Sequence, residues 1–177
     1  MFEQFEKLVK TRQSCRNFND KPLDKETVYK IADLARFSPS ACNSQPWHMY
    51  CVTSPDKVKQ VAKAVQGMTH NKFASGAKAF MVLCNKMATL KPGVESKFDR
   101  NFFVKYDVGE LIAYITLTAE SMGVSSCIIG WLDPKDIQKI VGHPEKERCE
   151  IVVALGYSDI PVREKVRKPA EETITEI

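Results

Sequence analysis

The sequence predicts an α+β fold, with helices packed on a central, mostly antiparallel sheet. Three observations carry this. Strand-like and helix-like segments interleave without the strict βαβ rhythm of a parallel sheet. Residues Ala79–Cys84 form an unbroken apolar run of strand length, as expected of a strand covered on both faces. The segment Tyr106–Met122 keeps a helical apolar period through Val108, Leu111, Ile112, Ile115, Ala119 and Met122.

The elements follow in order from local signals. Phe2, Phe5, Leu8 and Val9 share one face of an opening helix. A polar loop runs from Arg12 to Pro22. Asp24 is the expected N-cap of a second helix with Val28, Ile31, Leu34 and Ala35 on its apolar stripe. Pro39 stops that helix near Ser38, because the residue before a proline avoids the αR region. After the loop Ser38–Pro46, Trp47–Thr53 reads as a strand. Ser54 and Pro55 then supply a capping hydroxyl and a first-turn proline, and Val58, Val61, Ala62 and Val65 continue the helix. Lys86–Asn101 is polar, contains Pro92-Gly93, and is expected to be an exposed excursion.

The long helix also carries Ala113, Tyr114 and Leu117 off its main stripe, so burial on several sides is expected, in a core or at a subunit interface. Gly123 is placed to end it. Val124–Ile129 reads as a strand. Asp133-Pro134 opens a helix with Ile137, Ile140 and Val141 inward and Gly142 closing it. Glu150–Leu155 is the last strand. The segment 158–177 is charged and carries Pro161 and Pro169, so it forms little core alone. No repeat or linker divides the 177 residues, and one domain spanning 1–177 is expected.

Composition excludes several classes. An apolar fraction of 44% is ordinary for a folded domain. No run approaches the roughly 18 apolar residues that cross a bilayer, and the N-terminus MFEQFEKLVKTR lacks an apolar signal core. A soluble, cytoplasmic protein is expected, with neither membrane nor nucleic acid as partner. The net charge of +4 is mild, and its basic residues are interleaved with acids rather than gathered in a stripe with aromatics. The six cysteines, at 15, 42, 51, 84, 127 and 149, form no CxxC pair and no zinc-ligand spacing, so unpaired thiols and no metal site are expected. Cys15 and Cys42 stand in polar loops and are the ones open to reaction.

Three loops concentrate polar residues that patterning does not explain. In TRQSCRNF, positions 11–18, Arg12, Ser14 and Arg16 alternate. In extended backbone alternate side chains point the same way, so two guanidinium groups and a hydroxyl would converge as they would on a phosphate. A solvated loop with surface ion pairs would share this pattern. In SPSACNSQPWH, positions 38–48, Ser, Asn and Gln groups precede Trp47, as would suit the edge of a flat heterocycle. An ordinary turn would also use them. Ile129-Gly130 closes a strand, where glycine permits close ligand approach or simply a turn.

Taken together and in this order, the three segments resemble the nitroreductase family of flavoproteins. TRQSCRNF resembles the family's Arg-x-Ser-x-Arg/Lys-x-Phe segment, and SPSACNSQPWHMYCV its Ser-Pro-Ser-x-x-Asn-x-Gln-Pro-Trp segment. The glycine after CII fits a flavin-side glycine, RKPAEETI resembles the C-terminal Arg-x-Pro-Leu-x-Glu segment, and the helix ending at Met122-Gly123 is similar to the central helix. The resemblance implies a nitroreductase-like fold and FMN as cofactor, one per subunit at the interface of a homodimer. The tail, about 158–177, would pack on the partner.

Site residues are implied position by position. Arg12, Gln13, Ser14 and Arg16 would hold the phosphate and ribityl chain. Asn43 and Gln45 would lie in the flavin loop, with Pro39, Ser40 and Ala41 reaching the flavin of the other subunit. Asn71 would contact the isoalloxazine edge, and Gly130, after Ile129, would offer its N–H to flavin N5. Lys165 and Arg167 would stand near the phosphate. Where some members carry a lysine three residues after the Asn71 position, this chain has Ala74, so Arg16 or Lys72 would supply positive charge near the reduced ring.

The implied activity is an FMN-dependent oxidoreductase. NADH or NADPH, as co-substrate, and then a small-molecule acceptor such as a nitro compound or quinone would exchange hydride with N5 in turn. No side chain takes a catalytic role of its own. A dehalogenase or azoline dehydrogenase on the same scaffold, or a flavin storage or sensing module, are the alternatives. Lys86–Val104 is the expected lid.

Overall fold

The computed structural model describes residues 1–67 and 70–177. Four strands, β1 (Trp47–Val52), β2 (Ala79–Asn85), β3 (Ser125–Ile129) and β4 (Cys149–Gly156), form one sheet in the order β1-β2-β4-β3. Every neighbouring pair is antiparallel, so the α+β expectation holds. The helices are α1 (Phe2–Thr11), α2 (Lys25–Ala35), α3 (Pro55–Gln66), the single turn α4 (Pro92–Glu95), α5 (Val104–Ser121) and α6 (Pro134–Val141).

Strand β2 explains why its sequence is apolar throughout. Its side chains alternate between two cores, one on each sheet face. Met81 and Leu83 pack with Val28 and Ile31 of α2 and with Leu111, Ile115 and Ala119 of α5. Phe80 and Val82 pack with Val61 and Val65 of α3 and Ile137 of α6. A central strand with both faces covered has no polar side to show.

Local signals set most boundaries. Asp24 accepts hydrogen bonds from the Thr27 N–H at 2.7 Å and the Thr27 hydroxyl at 2.8 Å, capping α2. These bonds hold its carboxyl below the usual range. Asp133 caps α6 through the Lys135 N–H at 2.8 Å, and Gly142 closes it at φ +71°. Ser54, by contrast, makes no capping bond, and Pro55 at the first turn opens α3 without one.

Two stripes are phased differently from expectation. On α2, Ala32 is buried and Leu34 is 55% exposed. Helix α5 begins at Val104, and only one side of it meets the core; Tyr106 and Tyr114 stay exposed, as do Phe2, Phe5 and Val9 of the neighbouring α1. The excursion after β2 is mostly exposed, but Ala88 and Leu90 anchor it in the core. Among the described residues, no helix is long and apolar enough to cross a membrane.

The cysteine expectation needs correction. Strands β2 and β4 pair regularly from Ala79↔Leu155 to Leu83↔Ile151, and then Cys84 pairs with Cys149. Glu150 is the extra residue of a β-bulge. The bulge turns Cys149 onto the face of Cys84, and the two form a disulfide. Cys15 is also buried rather than available in a loop. Spacing of 65 residues between Cys84 and Cys149 carries no local signal of either effect.

The segment after α1 runs beside β3. Ser14 and Ser126 form a parallel bridge, the Cys15 N–H donates to the Ser126 carbonyl at 2.8 Å, and Phe18 enters the α3/α6 core. Phe18 lies so close to β4 that a Cβ on Gly156 would stand 2.8 Å from its Cδ1 and 3.2 Å from its Cγ. Gly156→Ala is therefore expected to destabilise the fold by about 1–3 kcal/mol through overpacking. Urea denaturation of variant and wild type measures this; an unchanged midpoint would contradict the packing.

Candidate functional site

An isolated parallel bridge between Ser14 and Ser126 sets this segment beside β3, where Arg12, Ser14 and Arg16 face one space. They line a cleft of about 370 Å³ with Gln13 on one wall and Arg163, Glu164, Lys165, Val166 and Arg167 on the other. Five cations therefore surround one space with a single carboxylate. None of the ion pairs among the described residues involves any of the five. The Arg16 guanidinium sits over the Phe73 ring, 6.0 Å from its centroid.

The tail makes the second wall by binding its own chain. Gln13 donates to the Pro161 carbonyl at 3.2 Å and accepts from both the backbone and Nε of Arg163 at 3.2 Å. Arg163 also donates to the Ser14 carbonyl at 3.0 Å. Lys165 donates to the carbonyls of Val9, at 3.2 Å, and of Arg12. Burial, and then the charges of Arg12 and Arg167, pull the Lys165 ammonium below its usual range, against a small opposing pull from Glu120. Gln13 and Lys165 thus lash the tail to the first wall. Arg163 was not singled out from sequence, although it alternates with Lys165 and Arg167 as Arg12 does with Ser14 and Arg16.

Asn71 and Gly130 stand at the β3 edge. The Asn71 amide donates to the carbonyls of Val65 at 2.9 Å and Trp131 at 3.2 Å, tying the end of α3 to the loop after β3. Ile129 is buried and Gly130 exposed. A Cβ on Gly130 would meet only Ile151 Cδ1, at 3.4 Å, so the chain itself leaves that backbone open to approach. Ala74 is fully buried in the α3/α6 core, where an ammonium would have no partner. Lys72 beside it is exposed.

The loop 38–46 lies elsewhere. It leads into β1, the opposite edge of the sheet, about 14 Å from β3 across three inter-strand spacings. Pro39, Ser40, Ala41, Asn43 and Gln45 are therefore not brought to the cleft within one chain. The loop is nonetheless built with strain. Cys42, Asn43 and Gln45 all have positive φ, at 54°, 53° and 47°, which costs non-glycine residues of order 1 kcal/mol each.

Several bonds hold that conformation. Ser40 Oγ accepts from the Gln45 N–H at 2.9 Å, Ser44 Oγ from the Thr89 N–H at 2.9 Å, and Asp107 Oδ1 from the Ala41 N–H at 3.1 Å. Asp107 is buried and its other oxygen has no partner. Burial raises its carboxyl above the usual aspartate range, and the Ala41 bond offsets part of that. An aspartate on the core side of α5 gave no sequence sign of this role.

A family model described as the nitroreductase family matches residues 9–157. The chain is 27% identical to an oxygen-insensitive NADPH nitroreductase of Helicobacter pylori, over 98% of this chain and 96% of that protein. It is 29% identical to a putative NADH dehydrogenase/NAD(P)H nitroreductase of Archaeoglobus fulgidus, over 88% of this chain and 86% of the other. Its fold superposes on a nitroreductase family protein from Streptococcus pneumoniae with a TM-score of 0.84 at 22% identity, covering 98% and 100% of the two chains.

Asp107 generates a signed prediction. Its folded pKa is raised. Both states are neutral well below the ordinary aspartate range, and the penalty for holding a buried carboxylate arrives as pH rises through that range. The stability of Asp107→Asn relative to wild type is therefore expected to increase from acid to neutral pH. Asp107→Ala, which leaves the Ala41 N–H without an acceptor, is expected to cost about 1 kcal/mol more than Asp107→Asn. Denaturant midpoints across a pH series decide both, and a relative stability that falls with pH would contradict the assignment.

Proposed function

The chain belongs to the nitroreductase family, and from that premise we propose that it is an FMN-dependent oxidoreductase, reducing nitro compounds, quinones or similar acceptors with NADH or NADPH. Family membership places it among oxidoreductases; the cofactor, the acceptors and the residue roles are this reading's own. One observation carries it: five cations without carboxylate partners line the cleft between residues 12–16 and 163–167.

The residues present fit FMN. Its phosphate carries close to two negative charges, and Arg12, Arg16, Arg163 and Arg167 supply always-charged donors in planar forks. Ser14 adds a hydroxyl for the phosphate or ribityl chain. Asn71 fixes the loop that carries Gly130, and Gly130 would let a flat ring approach its backbone N–H. When bound, FMN supplies the hydride-transfer chemistry. The protein's own work is to bind, orient and expose it.

The second half of the site is proposed to come from a second copy of this chain. The loop 38–46 is strained and pinned by Asp107 yet stands on the far edge of the sheet. Helices α1 and α5 leave Phe2, Phe5, Val9, Tyr106 and Tyr114 exposed. An isologous dimer burying that surface would bring Pro39, Ser40 and Ala41 of one protomer to the flavin of the other, with Asn43 and Gln45 in the same loop. The whole tail, about 158–177, is expected on the partner from sequence, but Pro161, Arg163 and Lys165 bind their own chain, so only its exposed remainder would lie on the partner. We place the protein in the cytoplasm as a single-domain homodimer, with Lys86–Val104 over the substrate face.

Two measurements test the reading. Purified protein is expected to be yellow, and NADH or NADPH to bleach the flavin until an acceptor restores it in stopped-flow absorbance. Bound flavin that neither cofactor bleaches would favour storage over turnover. Arg12→Ala or Arg16→Ala is expected to weaken FMN binding roughly 10- to 100-fold, the loss of a charge-assisted contact. Gly130→Ala is expected to keep the thermal midpoint of the apoprotein while weakening FMN. Undiminished FMN affinity in the Arg12→Ala, Arg16→Ala double variant would overturn the site.

A further inference from the structure

The disulfide lies in a cluster that the flavin reading does not use. Cys84 and Cys149 are fully buried, and so is the side chain of His143, in the loop after α6. Ligand atoms of these three residues lie within 4.8 Å of one another. No carboxylate or thiol elsewhere among the described residues joins two others in such a group with a ring nitrogen.

The surroundings of His143 are specific. Its Nδ1 lies 2.8 Å from the Tyr50 hydroxyl. Its Nε2 lies 2.8 Å from a Glu147 carboxylate oxygen, but the two are not aligned as donor and acceptor, so Nε2 is buried without a hydrogen bond. A buried ring nitrogen in that state is costly unless something else occupies it.

The fold builds this juxtaposition deliberately. Without the bulge at Glu150, Cys84 would pair with Glu150, and Cys149 would face the other core. The bulge puts both sulfurs on the α3/α6 side, where the loop 142–147 brings His143. Gln138 holds that loop through the Pro144 carbonyl at 3.2 Å and the Glu147 carbonyl. Tyr50, the hydrogen-bond partner of His143, also lines a surface cavity of about 390 Å³ with Lys57, Ile140 and Gly142.

We propose that Cys84, Cys149 and His143 form a binding site for a thiophilic divalent cation, of the zinc class, that is available when the disulfide is reduced. Reduction by a thiol or phosphine reductant transfers two electrons to the S–S bond and two protons to the sulfurs. The cation then displaces both thiol protons to solvent and takes a lone pair from His143, with a fourth position left open and the Tyr50 hydroxyl bonded to Nδ1. Two thiolates cancel the dication, so the buried centre gains no net charge. Two sulfurs and a nitrogen select zinc over magnesium or calcium, which prefer oxygen. Oxidation to the disulfide removes both thiolate ligands, so the same pair cannot hold the cation and the S–S bond at once.

Cobalt(II) is the probe, added to chelator-treated protein kept reduced with a phosphine. One equivalent per chain is expected to produce the intense thiolate-to-cobalt absorbance of a tetrahedral site, and zinc is expected to bleach it. The same chain with its disulfide formed, which serves as its own folded control, is expected to give no such band. Cys84→Ser and Cys149→Ser are each expected to weaken the band and the affinity, His143→Gln to weaken binding at least tenfold, and Cys51→Ser and Cys127→Ser to leave both unchanged. Reduced wild type that exposes two extra titratable thiols but gives no cobalt band would overturn the proposal, as would a band that survives in the Cys84→Ser, Cys149→Ser double variant. Flavin content does not enter these readouts.

Discussion

The Cys15 N–H donating to the Ser126 carbonyl is a single hydrogen bond, but much of the candidate site hangs on it. It fixes the segment after α1 as an extended edge beside β3. Extension is what converts the sequence spacing of Arg12, Ser14 and Arg16 into a common direction; a helix or a free loop would scatter them. The same segment buries Phe18 against Gly156. Charge presentation on one side and core packing on the other are thus two consequences of one register.

The two walls of the cleft differ in how they are held. The first wall is part of the sheet. The second is a tail that would have no structure of its own, tied down by Gln13, Arg163 and Lys165. These bonds go mostly to backbone carbonyls, which leaves the cations without counter-charges. Burial first, and then repulsion from Arg12 and Arg167, lowers the affinity of Lys165 for a proton. An anion in the cleft would relieve that repulsion.

What was legible in the sequence is what local chemistry decides. Asp24, Asp133, Pro55, Pro134 and Gly142 mark helix ends by capping or backbone preference within a turn of where they stand, and the structure keeps each boundary even where Ser54 makes no cap. The apolar run 79–84 announced a doubly covered strand. Leu34 was misplaced because amphipathic spacing fixes a stripe only to within one residue, and Ala32 takes the inward position. Cys15 was misread because its neighbours are polar, while β-pairing turns its own side chain inward. The Glu150 bulge, the disulfide it permits and the part of Asp107 in holding Ala41 join residues far apart in the chain, and composition or period has no term for such contacts.

The strained loop then bears on the question of assembly. Three left-handed residues in four positions persist only if the surroundings over-determine them, and Ser40, Ser44 and Asp107 do so. Within one chain that shape packs Ala41 and Cys42 against the core of α2 and α5 and lets Ser44 hold Thr89. The dimer proposed above would give the same rigid loop a second use. Phe2, Phe5 and Val9 of α1 and Tyr106 and Tyr114 of α5 are exposed as well. In the proposed twofold pairing, an isologous interface would cover such residues and present each protomer's loop to its partner.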